Sequence, residues 1–147
     1  MKRILCAIDH SAPSLRAAKL AGSIAAKFAA ELVLLTVVNV IDTQHDDIKR
    51  YLEREHNADA PAVAVTEIAE DAIRARADRI ASEYGIYVAC KVRTGEVAAQ
   101  IIATARQHAS DLLVVGHASR SRLARAFVGS TARRIVETAP CAVLVVP

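Results

Sequence analysis

Five short apolar runs recur along the chain, separated by longer stretches in which apolar residues return every three or four positions. Short continuous runs of this kind predict strands that are buried on both faces, as in a parallel sheet. The intervening stretches predict amphipathic helices. The predicted strands are Ile4–Ile8, Leu32–Val38, Ile86–Val92, Asp111–Val115 and Cys141–Val146.

Four helices are predicted between the strands. The first follows the capping segment His10–Ser14, and the second follows Pro61 and ends at Gly85. The third follows the turn Thr94–Glu96, and the last is Gly129–Thr138. The residues expected to face the sheet are, helix by helix, Leu20, Ile24 and Phe28; Ala69, Ile73, Ala77, Ile80 and Tyr84; Val97, Ile101, Ile102 and Ala105; and Ala132, Ile135, Val136 and Ala139.

Strands that alternate with helices predict right-handed crossovers and a parallel sheet covered on both faces. The expected fold class is α/β, a three-layer open sheet of five parallel strands with helices on both faces. The length of 147 residues suits a single domain, residues 1–147. The polar segment Asn39–Pro61 has no period, so we interpret it as an excursion with a helical turn or two in preference to a functional lid.

The composition, 53% hydrophobic and 24% charged, is that of a globular chain. No apolar run has the length of a membrane span or a secretory leader, so we expect a cytoplasmic protein without a membrane partner. The three cysteines, Cys6, Cys90 and Cys141, lack the spacing of a zinc or redox motif and are interpreted as reduced and structural. A redox-sensing Cys141 is the alternative.

The positive charge is concentrated in one part of the chain, although the net charge is only +3. Five arginines occur without any acid in residues 120–134, namely Arg120, Arg122, Arg125, Arg133 and Arg134. With two Phe, three Tyr and no Trp, the chain has few side chains on which single-stranded nucleic acid stacks. We therefore expect a compact phosphate ligand and no nucleic acid.

Ligands of open α/β sheets bind at the carboxyl ends of the strands, where the winding direction reverses. The predicted strands lead there into Asp9–Ser11, Val37–Asn39 and Gly116–Ser119, which adjacent first and fourth strands would bring together. Gly116 would let a ligand approach the backbone, and Gly129–Thr131 opens a helix with unpaired N–H groups, as a phosphate requires. Turn and N-cap roles explain the same residues equally well. Neither a Walker loop nor a GxGxxG motif is present.

Several side chains near this edge have more than one interpretation. Asp9 can accept from ribose hydroxyls or hold Mg²⁺ beside phosphates, and it can also simply cap the first helix. His10 and His117 lack a third metal ligand, so we interpret them as loop residues facing solvent. A triad of Ser11, His117 and Asp9 lacks the nucleophile elbow of hydrolases. No catalytic residue is predicted.

Four segments, Ile4–Ser11, Leu34–Val38, Thr94–Glu96 and Ala139–Val146, occur together in one order along essentially the whole chain. In this combination the chain resembles the universal stress protein family. The resemblance implies a Rossmann-like fold similar to that of the adenine nucleotide alpha hydrolases. The co-linear match is far more specific than any single segment.

Nucleotide-binding members of that family carry Gly, two residues, Gly, nine residues, and then Gly-Ser or Gly-Thr. Gly116 and Gly129 have the required separation, and Ser130 follows, but Ser119 occupies the position of the middle glycine. The chain thus resembles the ATP-binding subgroup with a degenerate glycine motif. If that position requires a left-handed backbone, serine costs about 1 kcal/mol relative to glycine, which reduces affinity without abolishing binding.

The resemblance implies ATP, or else AMP or ADP, with adenine near Ala7 and bonded to the backbone of Val37, and ribose near Asp9. Mg²⁺ at Asp9 is expected only from the preference of this ion for carboxylate oxygen. The implied nucleotide-binding residues are Ala7, Asp9, Val37, Val115, Gly116, Ser119, Gly129, Ser130 and Thr131. From their location alone, Arg120 and Arg122 are expected to add charge beside the phosphates.

The resemblance also implies a homodimer formed through the last strand, Val143–Val146, because an uncovered apolar edge favours pairing. The expected function is that of a nucleotide-responsive regulator in the stress response, with little or no turnover. Two alternatives stay open: a dimeric interaction module of the same fold without nucleotide, and a weak ATPase or autokinase.

Overall fold

The computed structural model describes residues 1–39, 62–117 and 129–147, which form five strands and four helices. No helix in these ranges is both long enough and apolar enough to cross a membrane. Apart from Asn39, the polar excursion predicted for Asn39–Pro61 lies outside the described residues. In chain order the elements are β1 (Arg3–Ala7), α1 (Ala12–Phe28), β2 (Glu31–Val38), α2 (Ala62–Tyr84), β3 (Val88–Thr94), α3 (Val97–Gln107), β4 (Leu112–Gly116), α4 (Ser130–Thr138) and β5 (Ala142–Val146).

The strands form one parallel sheet in the order β3-β2-β1-β4-β5. β1 lies at the centre, with Ala7 level with Leu35 of β2 and with Val115 of β4. Helices α1 and α2 cover one face of the sheet, and α3 and α4 cover the other. The predicted three-layer α/β fold is therefore confirmed.

The small side chains of α1 face the sheet. Leu20 and Phe28, which we predicted to face it, are 39% and 57% exposed, so the prediction is wrong for these two residues. The reason is the close approach of α1 to its neighbours: a Cβ added to Gly22 would lie only 2.7 Å from Cγ2 of Ile80 in α2. The buried residues of α1 are Ser14, Ala17, Ala18, Ala21, Gly22 and Ala25.

The other helices bury most of the predicted residues. In α2 these include Ile73, Ala77 and Ile80, and in α3 they include Ile101, Ile102 and Ala105. In α4 only Ala132 and Ile135 are buried, whereas Val136 is 53% exposed, so its predicted place in the core is wrong. Val136 follows a buried residue directly and is therefore turned about 100° away from the sheet.

Strand β3 begins two residues later than predicted. Gly85 adopts a positive φ of 65°, and the N–H of Ile86 donates to the carbonyl oxygen of Ala81 at 3.2 Å. Ile86 is thus bonded to the end of α2 and does not start the strand. At its other end β3 continues to Thr94, because β2 offers Val38 as a partner there.

At the amino edge of the sheet, Asp111 joins the start of β4 to the start of β1. Its Oδ2 accepts from the backbone N–H of Lys2 at 2.6 Å and of Arg3 at 2.9 Å. These two hydrogen bonds, Lys2 first, hold the pKa of the Asp111 carboxyl below its ordinary value. The carboxylate therefore ties the two central strands together in its charged form.

Candidate functional site

The sheet reverses its winding direction between β1 and β4. From β1 the chain adds β2 and β3 on one side, and it then crosses over to add β4 and β5 on the other. A crevice at the carboxyl ends of β1 and β4 follows from this order, and such crevices hold ligands in open α/β sheets. The adjacency of the first and fourth strands, which the sequence left undetermined, is thereby settled.

A network of short polar side chains fills the turn between β1 and α1. Ser11 is the N-cap of α1, and its side chain accepts from the N–H of Ser14 at 3.3 Å. Oδ1 of Asp9 accepts from the N–H of Ser11 at 3.1 Å, and the N–H of Asp9 donates to Oγ of Ser14 at 3.3 Å. Asp9 thus stabilises the approach to the helix, while the capping role itself belongs to Ser11.

Asp9 combines an exposed position with a carboxylate that is favoured over the neutral acid. Partial desolvation acts to raise its pKa, but hydrogen bonds from Ser11 and Ser14 outweigh it, and the pKa lies below the ordinary value. The neighbouring His10 has a positive φ of 65°, which turns the backbone sharply. The edge of the sheet therefore carries a fixed negative charge at the end of β1.

Gly116, at the end of β4, lies directly against the start of α1. A Cβ added there would be 2.5 Å from the backbone nitrogen of Ser14 and 2.7 Å from the carbonyl carbon of Pro13. We predicted that this glycine allows a ligand to approach the backbone; the structure shows that it already allows the protein's own helix to do so. Beyond it, the N–H of His117 donates to the carbonyl oxygen of Val146 at 2.6 Å.

Val37 presents backbone polar groups to the crevice. The carbonyl oxygen of Val38 accepts from Gly95, after β3, whereas that of Leu35 accepts from Ile8, after β1. Because successive residues of a strand point their N–H and C=O groups to opposite sides, those of Val37 point to the β1 side, beyond the end of β1 at Ala7. This arrangement suits hydrogen bonding to a flat heterocycle.

Helix α4 begins at the same edge, because it carries the chain from the carboxyl end of β4 back to the start of β5. Its N-cap is Gly129, and no side chain of the described residues caps its first N–H groups. Ser130 and Thr131 in the first turn are exposed. The helix terminus can therefore donate to an anion.

Glu96 also lies at this edge, although the sequence pattern predicts it only as part of a turn. It is the N-cap of α3, and its carboxylate accepts from the N–H groups of Ala98 and Ala99 while binding Arg134 of α4. The hydrogen bond from Ala99 is the main reason that the pKa of Glu96 lies below its ordinary value. A glutamate directly before an apolar helical pattern is the available signal, but its partner on α4 leaves no mark in the sequence.

The universal stress protein family model matches residues 1–147. The chain belongs to the universal stress protein family. Universal stress protein MJ0531 of Methanocaldococcus jannaschii is 31% identical over 145 residues, covering 99% of this chain and 81% of the relative. The structure of universal stress protein UspA from Lactobacillus plantarum is 27% identical, with a TM-score of 0.74, and covers 99% of this chain and 97% of that one.

Two further solved members hold nucleotides. A universal stress protein in complex with cAMP is 23% identical with a TM-score of 0.71, covering 99% of this chain and 96% of that one. The universal stress protein from Archaeoglobus fulgidus in complex with dAMP is 16% identical with a TM-score of 0.66, covering 100% and 98%. At these identities the likeness concerns the fold.

The predicted site residues of this universal stress protein fall into three groups. Ala7, Asp9, Val37, Val115 and Gly116 lie at or beside the carboxyl ends of β1, β2 and β4, and Gly129, Ser130 and Thr131 begin α4. Ser119, Arg120 and Arg122 lie outside the described residues. Among the described residues no group of three His, Cys, Asp or Glu could hold a metal ion, so a cation at Asp9 would need ligands from elsewhere.

The cysteines are free thiols in the structure. Burial raises the pKa of Cys6 to about 12. Burial also raises the pKa of Cys141, and the negative charge of Asp111 adds to the effect. Since the thiolate is the reactive form, a raised pKa argues against the redox-sensing alternative for Cys141.

Proposed function

We propose that this protein binds an adenine nucleotide, with ATP preferred over AMP and ADP, and acts as a nucleotide-responsive regulator of the stress response in the cytoplasm. The observation that supports the proposal is that three groups lie at the same edge of the sheet: the Asp9 carboxylate, the backbone of Val37 beyond the end of β1, and the start of α4, whose first N–H groups no side chain of the described residues caps. These groups match a ribose, an adenine and a phosphate chain. Relatives that hold cAMP and dAMP support the same ligand class.

Each part of the nucleotide has a chemically suited partner. The Asp9 carboxylate is an acceptor for ribose hydroxyls, and a charged acceptor gives the stronger hydrogen bonds. The first turn of α4, with Gly129, Ser130 and Thr131, supplies N–H groups, hydroxyls and the positive end of the helix dipole to the phosphates. In the proposed complex Mg²⁺ binds Asp9 together with phosphate oxygens, the usual mixed coordination of this ion.

Slow turnover or none is part of the proposal. Hydrolysis or phosphoryl transfer is helped by a general base whose pKa is close to neutral. Among the described residues the carboxyls at this edge include those of Asp9 and Glu96, and the pKa of each lies below its ordinary value, which makes both weak bases. The site is therefore suited to sensing a nucleotide more than to consuming it.

The test is equilibrium binding of ATP in the presence of Mg²⁺. We expect saturable binding that Asp9→Ala weakens about tenfold, the loss of a charge-assisted hydrogen bond. The matched control is Asp111→Ala, which removes an equal charge at the opposite edge and leaves ATP affinity unchanged. Absence of saturable binding at millimolar ATP would reject the proposal.

A second candidate function is a dimeric interaction module without nucleotide. It is favoured by Ser119 in place of the middle glycine and by the packing of Gly116 against α1, which requires that glycine with or without a ligand. Native mass spectrometry of the purified protein separates the candidates, because co-purified ATP or AMP excludes the empty module. Under the nucleotide proposal Ser119→Gly raises ATP affinity about fivefold, the equivalent of about 1 kcal/mol.

In both candidates the protein acts as a homodimer paired through β5. This strand lies at the edge of the sheet among the described residues, and the side chains of Val143 to Val146 are apolar and pack on its two faces. An apolar edge strand with unpaired backbone groups favours pairing with a second copy.

A further inference from the structure

One carboxylate connects the two helices that cover the same face of the sheet. Oε1 of Glu96 accepts from the N–H of Ala98 at 3.1 Å, and Oε2 accepts from the N–H of Ala99 at 2.9 Å. Nη1 of Arg134, in α4, lies 2.8 Å from the same Oε2. Glu96 therefore caps α3 and bonds α4 at the same time.

Among the described residues, helix α4 has few other anchors. It is nine residues long and buries only Ala132 and Ile135. Its N-cap, Gly129, contributes no side-chain hydrogen bond, and Ser130 and Thr131 are exposed. Ala132 and Ile135 lie on one side of the helix, so they hold its distance from the sheet more firmly than its rotation, and the bond to α3 adds a lateral constraint.

The neighbouring arginine provides a comparison within the same helix. Arg133 pairs with Glu137, one turn further along α4, with Nε 2.9 Å from Oε1. This pair lies within one helix and makes no link to α3. Arg133 and Arg134 thus carry the same charge at nearly the same distance from the start of α4 but differ in what they hold.

We infer that Glu96, acting through Arg134, is a positioning residue that orients the first turn of α4 toward the phosphates of the bound nucleotide. The inference rests on the proposed nucleotide-binding function. A purely electrostatic role would have the opposite sign, because removal of the negative Glu96 would favour a phosphate ligand. Both side chains are 55% exposed, so the effect of the pair is a severalfold change in affinity.

The experiment compares the affinities of ATP and adenosine for the wild type, Arg134→Gln, Arg133→Gln, Glu96→Gln and the double variant Glu96→Gln/Arg134→Gln. We expect Arg134→Gln to weaken ATP binding about threefold to fivefold beyond Arg133→Gln, with adenosine unchanged in both. Glu96→Gln should also weaken ATP binding, and the double variant should be no weaker than the weaker single variant. Tighter ATP binding by Glu96→Gln, or equal effects of the two arginine variants, would overturn the inference.

A second measurement tests the positioning role of the Glu96–Arg134 pair without any nucleotide. Hydrogen exchange of the α4 amides in the nucleotide-free protein should be faster in Arg134→Gln than in Arg133→Gln, because only the former releases the helix from α3. A wild type that binds no ATP rejects the proposed function, whereas equal exchange in the two variants rejects the positioning role. Exchange that differs as expected, without ATP binding, would show that the pair holds the helix but serves no phosphate, and this also overturns the inference.

Discussion

Replacing Gly116 with alanine would place a methyl group where the backbone of α1 already lies. The added Cβ would be 2.5 Å from the nitrogen and 2.8 Å from the Cα of Ser14, and 2.7 Å from the carbonyl carbon of Pro13. Real Cβ atoms essentially never approach other atoms closer than 3.0 Å. All three contacts are with backbone atoms, so no side-chain rotation relieves them and the start of α1 must move away from β4.

The expected loss of stability is the difference between two opposing effects. Forcing a methyl group into a packed region costs about 1–3 kcal/mol. Alanine also restricts the unfolded chain, which stabilises the folded state by about 0.4–1 kcal/mol where the backbone angles are compatible. We therefore expect Gly116→Ala to lower the free energy of unfolding by about 1–2 kcal/mol, or the melting temperature by about 2–8 °C.

The assay is urea denaturation, with Gly22→Ala as the matched control. At Gly22 the atoms nearest the added Cβ would belong to side chains and not to backbone, namely Cγ2 of the buried Ile80 at 2.7 Å and Cδ2 of the half-buried Tyr84 at 2.8 Å. This crowding also destabilises, but alanine improves helix propensity there by about 1 kcal/mol, so Gly22→Ala should lose less stability than Gly116→Ala. Unchanged stability of Gly116→Ala, together with weakened nucleotide binding, would show that this glycine serves the ligand and not the helix.

Three further predictions concern other parts of the molecule. Asp111→Ala should have a lower free energy of unfolding than the wild type above pH 3.8, the ordinary pKa of an aspartate. Because the pKa of Asp111 is lowered in the folded state, this difference should disappear as the pH falls through that folded pKa, which acid denaturation measures. Val145→Pro should convert the proposed dimer into a folded monomer, as measured by sedimentation velocity. The backbone carbonyl of Val146 accepts a hydrogen bond from His117 after β4, so the backbone N–H and C=O of Val145 point away from β4, to the edge of the sheet. A persistent dimer would contradict pairing through β5. Cys6 should react with a thiol reagent only on unfolding, because it is fully buried with a pKa of about 12; rapid reaction of the native protein at this residue would be the contrary result.

The alternation of strands and helices was predictable because strands buried on both faces must be apolar throughout. Which face of α1 is buried was not predictable from the pattern. Leu20, Ile24 and Phe28 recur at helical spacing, yet the buried residues of α1 are Ser14, four alanines and Gly22, and Gly22 lies against α2. Periodicity identifies a helix, but which side is buried depends on how closely the helix approaches its neighbours, and that distance is a tertiary property.

In the candidate site, too, local features were predictable from the sequence and tertiary contacts were not. The apolar pattern placed Gly116 at a strand exit and Gly129 at a helix start, and the structure has both there, because these positions follow from local patterns. Strand order and the bond between Glu96 and Arg134 depend on segments far apart in the chain, so no local pattern contains them.

The packing of Gly116 also changes what the glycine motif implies. Because the backbone of Ser14 already fills the space that a Cβ would occupy, Gly116 is required for the fold whether or not a nucleotide binds. Its presence therefore cannot distinguish a nucleotide-binding member from an empty one. Under the nucleotide proposal that distinction depends on position 119 and on the start of α4, where no side chain of the described residues caps the first N–H groups. Ser119→Gly is accordingly the more informative substitution for function, and Gly116→Ala the more informative one for the fold.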